Sequence, residues 1–220
     1  MILHPRQTLR EVAGGPLWLG VLLVTAVLGA VPGALLMRTA IGQQVLVDQW
    51  ERTSVAFGRS VNDAQYARLE ALSAADGPAY AVGSALMSGP GLTLVAAGLL
   101  FLAYGRGRFR FRQVFAVATH AGVILALRQV VAAPLAYARE TTASATSIGV
   151  WFPTFDEASV PARFFASLDL FVIWWLVVLA IGMAVLTDRP ARKYAGVCLG
   201  AYAALAAGLA LAMALTGGVS

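Results

Sequence analysis

Charge is what this 220-residue chain has least of: Asp, Glu, Lys and Arg together make 12 % of it, against about 25 % in soluble domains. Hydrophobic residues make 59 %. The few charges are also confined to patches, and Val12–Met37, Gly77–Gly105 and Tyr194–Ser220 contain none. Each stretch is longer than the roughly 20 residues a helix needs to cross a bilayer. A soluble domain is excluded, and the chain reads as an integral membrane protein. Cysteine is almost absent too. Cys198 alone can make neither an internal disulfide nor a thiolate cluster, so redox and zinc readings fall away and no metal or cofactor is expected. There is no P-loop, no His-Glu-x-x-His, no Ser-centred nucleophile elbow and no pair of carboxylates at depth, so no enzymatic activity is expected.

What is present is long apolar runs. Five spans fit best, at about 16–37, 81–104, 113–135, 164–187 and 194–216, within a single domain over 1–220. Backbone groups in lipid must be satisfied internally, and nothing here alternates like a barrel strand, so the fold class is an all-α five-span bundle. Pro32, Pro90 and Pro134 fall near span ends, where kinks are tolerated. Arg6 and Arg10 ahead of the first run resemble a secretory signal, but the run is long and no small-x-small site closes it. An uncleaved first span is expected.

The basic residues are distributed by loop. Arg6 and Arg10 precede the first span, "GRGRFRFR" holds Arg106, Arg108, Arg110 and Arg112, and "TDRPARK" holds Arg189, Arg192 and Lys193. With five spans all of these fall on one side, accompanied only by Glu11 and Asp188. The positive-inside asymmetry puts the N-terminus inside and the C-terminus outside, with Tyr104 and Tyr194 at the inner interface. The net charge of +5 is therefore a topology signal and not a nucleic-acid footprint. The arginines of "GRGRFRFR" could also lie along anionic headgroups.

The outer segment over 38–80 is too long for a connector. "IGQQVLVDQWERTSVAFG" places Ile41, Val45 or Leu46, Trp50 and Phe57 at near-helical spacing. "NDAQYARLEALSAA" offers Asn62 as N-cap, Gln65 as its capping-box partner, and Tyr66, Leu69 and Leu72 as an apolar face. Gly58 and "ADGP" over 75–78 are read as helix ends. Such an amphipathic pair packs on its own spans or on lipid, or meets another protein. The second outer segment, 136–163, carries Trp151, Phe152 and Phe155 for the headgroup level. Pro153 and Pro161 prevent a continuous helix, which leaves an interfacial loop or a lid over a cavity.

Two opposite charges interrupt the spans. In "RFFASLDLFVIWWLVVLAIGMAVLT", a span entered at Phe164 carries Asp169 about 8 Å down at 1.5 Å per residue, and Arg128 lies about 10 Å below the end of the third span. A lone charge at a span's centre costs about 2.5–3.5 kcal/mol, so such residues face inward and pair. An Arg128–Asp169 contact is expected, either as a staple for helix register or as a polar pocket for a headgroup, an ion or a partner's side chain. His120 and Ser167 are the further residues of a possible pocket. A proton relay through His120 lacks an acidic continuation. Trp174 and Trp175 fall near mid-bilayer and read as core. Gly196, Gly200, Ala204 and Gly208 make a small-xxx-small stripe on the fifth span, packing within the bundle or against a second protein.

"SLDLFVIWWLVVLAIGMAVL" resembles the signature of the Ypt-interacting protein (Yip) domain family, in its bacterial members. The matching residues are Asp169-Leu170-Phe171, Ile173-Trp174 and Ala180-Ile181-Gly182. "PRQTLREV", "FRQVFAVATHAGV" and "TSIGVWFP" extend the likeness over essentially the whole chain. The resemblance implies a five-span bundle with the N-terminus inside. Eukaryotic members act at endoplasmic reticulum and Golgi membranes, associate with Rab-type GTPases, and have a long cytosolic region ahead of the first span. Only about 15 residues precede the first span here, which argues against GTPase binding. The Ala-, Gly- and Arg-rich composition suits a bacterial inner membrane. The expected function is a non-catalytic scaffold or accessory subunit for a membrane partner, for copies of itself, or for lipid. The alternative is a small transporter or lipid-handling protein using Arg128 and Asp169.

Overall fold

The computed structural model describes residues 5–14, 18–105, 109–140, 146–152, 154–156 and 159–217. Among them the regular structure is helical, and five helices are long and apolar enough to cross a membrane. Their limits differ from the sequence reading in physically instructive ways.

The first span, α2 (Leu19–Leu36), turns directly into α3 (Ala40–Ala56). Thr39 caps α3: its hydroxyl donates to the Leu36 carbonyl at 2.7 Å and accepts from Gly42 N at 3.0 Å. In α3, Val45, Leu46 and Val47 are all buried, more than a one-faced surface helix would cover. The helix is wedged among α4, α7 and α10, so it packs on its own spans.

The expected helix end at "ADGP" is not there. The helix α4 (Asp63–Leu86) runs through Gly77 and Pro78, and a π-helical turn (Met87–Gly91), α5 (Leu92–Leu100) and a second π turn (Phe101–Gly105) continue it. The outer helix and the second span are thus one element of 43 residues, roughly 65 Å of rise, about twice a hydrocarbon core. Its start has the expected capping box, with Asn62 Oδ1 accepting from Gln65 N and Gln65 Oε1 from Asn62 N. Gly77 is buried within the helix, where Met37 and Leu46 pack beside its backbone. Pro90 has no N–H for the Leu86 carbonyl, and the chain widens into the π turn there.

The third span is two helices, α6 (Phe111–Ala121) and α7 (Val123–Arg139), hinged at Gly122. A Cβ at Gly122 would lie 2.9 Å from Thr93 Oγ1, so the bare backbone is what lets this span meet the second. After a 3₁₀ turn (Ile148–Trp151), the expected fourth span also divides, into α8 (Val160–Ser167) and α9 (Leu170–Thr187). Asp188, with φ of 50°, turns the chain out of α9, and α10 (Ala191–Gly217) follows.

The sequence reading missed α1 (Pro5–Gly14), which packs on α6 and α9. Leu9 and Val12, one turn apart, are buried, and Leu9 joins a cluster with Val114, Val117, Trp175, Leu179 and Met183. Trp175 is core, as read. At this end of the bundle the Tyr104 and Tyr194 rings meet edge to face, 5.0 Å between centroids.

Candidate functional site: a polar junction before the fourth span

Asp169 does not sit inside a span. It is the N-cap of α9, in extended conformation, between two helices that the sequence reading had joined. This corrects the expected depth. The 18 residues of α9 rise about 27 Å, close to the thickness of a hydrocarbon core, so Asp169 stands at the end of the apolar stretch. One carboxylate oxygen, Oδ1, accepts from Phe171 N at 2.8 Å and Val172 N at 3.3 Å, answering two of the donors that a helix start leaves open. The other, Oδ2, accepts from Arg128 Nε and from the Thr146 hydroxyl, both at 2.6 Å.

The break between α8 and α9 leaves backbone groups without helical partners, and lipid beside it cannot satisfy them. Here two other segments take them. Ile148 N donates to Leu168 O at 2.7 Å and Leu170 N to Thr146 O at 3.0 Å, so residues 146–148 form a short antiparallel bridge along the break. The Tyr202 hydroxyl, from α10, donates to Ser167 O and accepts from Asp169 N, each at 2.9 Å. Arg128, Thr146 and Tyr202 thus converge on one interrupted strand of backbone. The segment over 146–152 is built into this junction. Its Trp151 remains exposed, and Phe152 and Phe155 stack with Phe165.

Beside the junction is a cavity of about 190 Å³. Arg128, Asp169, Ser167, Gln129, Ser88 and Tyr202 give it polar lining, and Leu92 and Val172 are among its apolar walls. The expected pocket residue Ser167 is there, though its hydroxyl donates to Arg163 O at 2.8 Å. His120 is not. It lies two turns away, with Nδ1 2.8 Å from Ala116 O on its own helix. Tyr202 and Thr146 were missed. The signal for Tyr202 is visible in hindsight: Tyr194, Cys198, Tyr202, Ala206 and Ala210 recur every four residues and form the face that α10 turns inward.

Two positions further round, on the opposite face, Gly196, Gly200, Ala204 and Gly208 are exposed. A Cβ added at any of these glycines would meet nothing within 4 Å, so the stripe does not pack within the bundle. Of the basic loop, Arg110 and Arg112 are exposed, Arg110 preceding α6 with its N–H on Gln113 Oε1 at 3.1 Å. Arg106 and Arg108 lie outside the described residues, as do Pro16 and Pro153.

No curated protein and no solved structure matches the chain. The family model of the Yip1 domain matches residues 1–214. With nearly the whole chain inside that match, and with five membrane-length helices in one bundle, this protein belongs to the Yip1 domain family.

Proposed function

We propose that this Yip1-domain protein is a non-catalytic multi-span scaffold, an accessory subunit that binds a second membrane protein through the outward face of α10. The observation that carries this reading is the Gly196–Gly200–Ala204–Gly208 stripe, left bare on the side away from the bundle. In a bilayer, helices gain nothing by hiding apolar surface from lipid, which is equally apolar. They associate where small residues let backbones approach. The junction at Asp169 fits the same reading, since its hydrogen bonds hold the α8–α9 break in place. The asymmetry of the basic loops supports an orientation with the N-terminus in the cytoplasm and the C-terminus outside, in a bacterial cytoplasmic membrane.

The test is in-cell crosslinking of the tagged full-length protein, comparing the native sequence with Gly200→Leu. The expected result is one membrane partner at fixed stoichiometry, recovered about tenfold less with the variant, about 1.4 kcal/mol of lost association. Recovery of copies of the chain alone would make it a self-associating scaffold. An unchanged set of crosslinks in Gly200→Leu would overturn the assignment of the face.

A further inference from the structure

Arg128 spends one donor on Asp169. Its Nε makes that bond, and no described residue accepts from either terminal nitrogen. The side chain is 26 % exposed, and it lines the 190 Å³ cavity. A guanidinium presents its donors as a planar fork whose spacing fits two oxygens of a phosphate or carboxylate. Here the carboxylate of Asp169 takes only the Nε side, which leaves the terminal nitrogens to serve a ligand in the cavity that Arg128 lines.

The surroundings narrow the ligand. The negative charge of Asp169 is held by the Thr146 hydroxyl and by two N–H groups at the start of α9, where the helix dipole is positive. Asp169 lines the cavity together with Arg128, but its charge is already answered by these donors, which leaves Arg128 as the cation a ligand would meet there. Gln129 adds a further donor, because its amide nitrogen has only a 3.5 Å contact with Ser88 Oγ, at the limit of a hydrogen bond. Leu92 and Val172 supply apolar wall beside these donors. The volume is several times the roughly 30 Å³ of one water. The junction also lies at the end of a 27 Å apolar helix, near the depth of lipid headgroups.

We propose that this cavity binds the phosphodiester of a membrane lipid, with the terminal nitrogens of Arg128 on two phosphate oxygens, the Gln129 amide beside them, and the glycerol carbons against Leu92 and Val172. The binding chemistry is that of a tetrahedral oxyanion, which a lipid or free phosphate could supply. The bare face of α10 plays no part in it.

The experiment follows thermal unfolding of the full-length protein in maltoside micelles by tryptophan fluorescence. Three additives are titrated: dihexanoyl-phosphatidylglycerol, dihexanoylglycerol with the same chains but no phosphate, and sodium phosphate. A ligand that binds only the folded state raises the unfolding temperature saturably. The phospholipid is expected to do so, and the diglyceride is not. Arg128→Lys keeps a cation for Asp169 but loses the fork, and should weaken apparent phospholipid affinity about tenfold, as loss of a charged hydrogen bond does. Gln129→Leu disturbs only the weak Ser88 contact and should weaken it severalfold, which keeps the question open to decision even if Arg128→Lys does not fold. Sodium phosphate matching the phospholipid would support the oxyanion site and overturn its lipid source. An equal shift with diglyceride, or affinities unmoved by Gln129→Leu and Arg128→Lys, would overturn the proposal.

Discussion

The third and fifth spans are both long, apolar and rich in alanine, yet 61 % of the third span's apolar stretch is buried and only 11 % of the fifth's. Hydropathy cannot explain the difference, because lipid tails solvate a leucine as well as another helix does. Shape and polar chemistry explain it. The third span has the Gly122 notch, where it meets Thr93 of the second span, and it has Arg128, which must find a counter-charge. The fifth uses one narrow face of tyrosines and alanines and turns its glycines outward. In a membrane bundle, small residues mark where a helix can be approached, and the surrounding groups decide whether its own chain does so.

The sharpest break in that comparison is one substitution made on each side of it. A Cβ on Gly182 of α9 would overlap Val117 Cγ1 of α6, a β-branched side chain with few rotamers to escape into. Gly182→Leu is therefore expected to cost roughly 3 kcal/mol or more, enough to lower recovery of folded protein and its unfolding temperature sharply in micelles. Gly200→Leu, on open surface, should stay within about 0.5 kcal/mol of the native protein. Equal losses in the two variants would mean that the bare face of α10 is occupied within the fold.

The charge that distinguishes the third span gives the next largest effect. Asp169→Ala removes the α9 cap and strands the Arg128 guanidinium, and the expected cost is roughly 3 kcal/mol. Asp169→Asn keeps an oxygen for Phe171 and Val172 N–H groups and isolates the missing charge. If the double variant with Arg128→Met recovers part of the loss, the cost was the stranded cation. If the two losses simply add, the residues are not coupled, and the third span is held centrally by packing alone.

Periodicity and charge carried much of this in the sequence. Five spans, the Asn62–Gln65 capping box, the burial of Trp175 and the meeting of Arg128 with Asp169 all follow from local patterns or from the cost of a lone charge in lipid. The breaks within spans did not. An apolar run such as "FFASLDLFVIWW" reads as one helix because lipid-facing residues look alike in any conformation. The interruption at Leu168–Asp169 is held by partners far along the chain, among them the bridge from 146–148 and the Tyr202 hydroxyl. Gly77–Pro78 misled in the other direction: both residues are common helix enders, but packing against Met37 and Leu46 carries the helix past them. The inward face of α10 was hidden by its own glycines, which drew attention to the opposite side.

Tyr202 is the fifth span's main polar hold on the rest of the protein, and its loss should cost less than that of Gly182 or Asp169 and be the most local. Tyr202→Phe keeps the ring and its packing but leaves Ser167 O without its donor and Asp169 N without its acceptor. Together the two bonds are expected to be worth about 1–2 kcal/mol. Because the Asp169 carboxylate keeps its contacts with Arg128 and the α9 amides, global unfolding should shift less than in Asp169→Ala. The amide of Asp169, which donates to Tyr202, should instead exchange with solvent markedly faster, while α6 amides such as Val117 stay protected. If exchange at Asp169 is unchanged, the 146–148 bridge alone holds the break closed, and the fifth span, peripheral by burial, is peripheral in its chemistry as well.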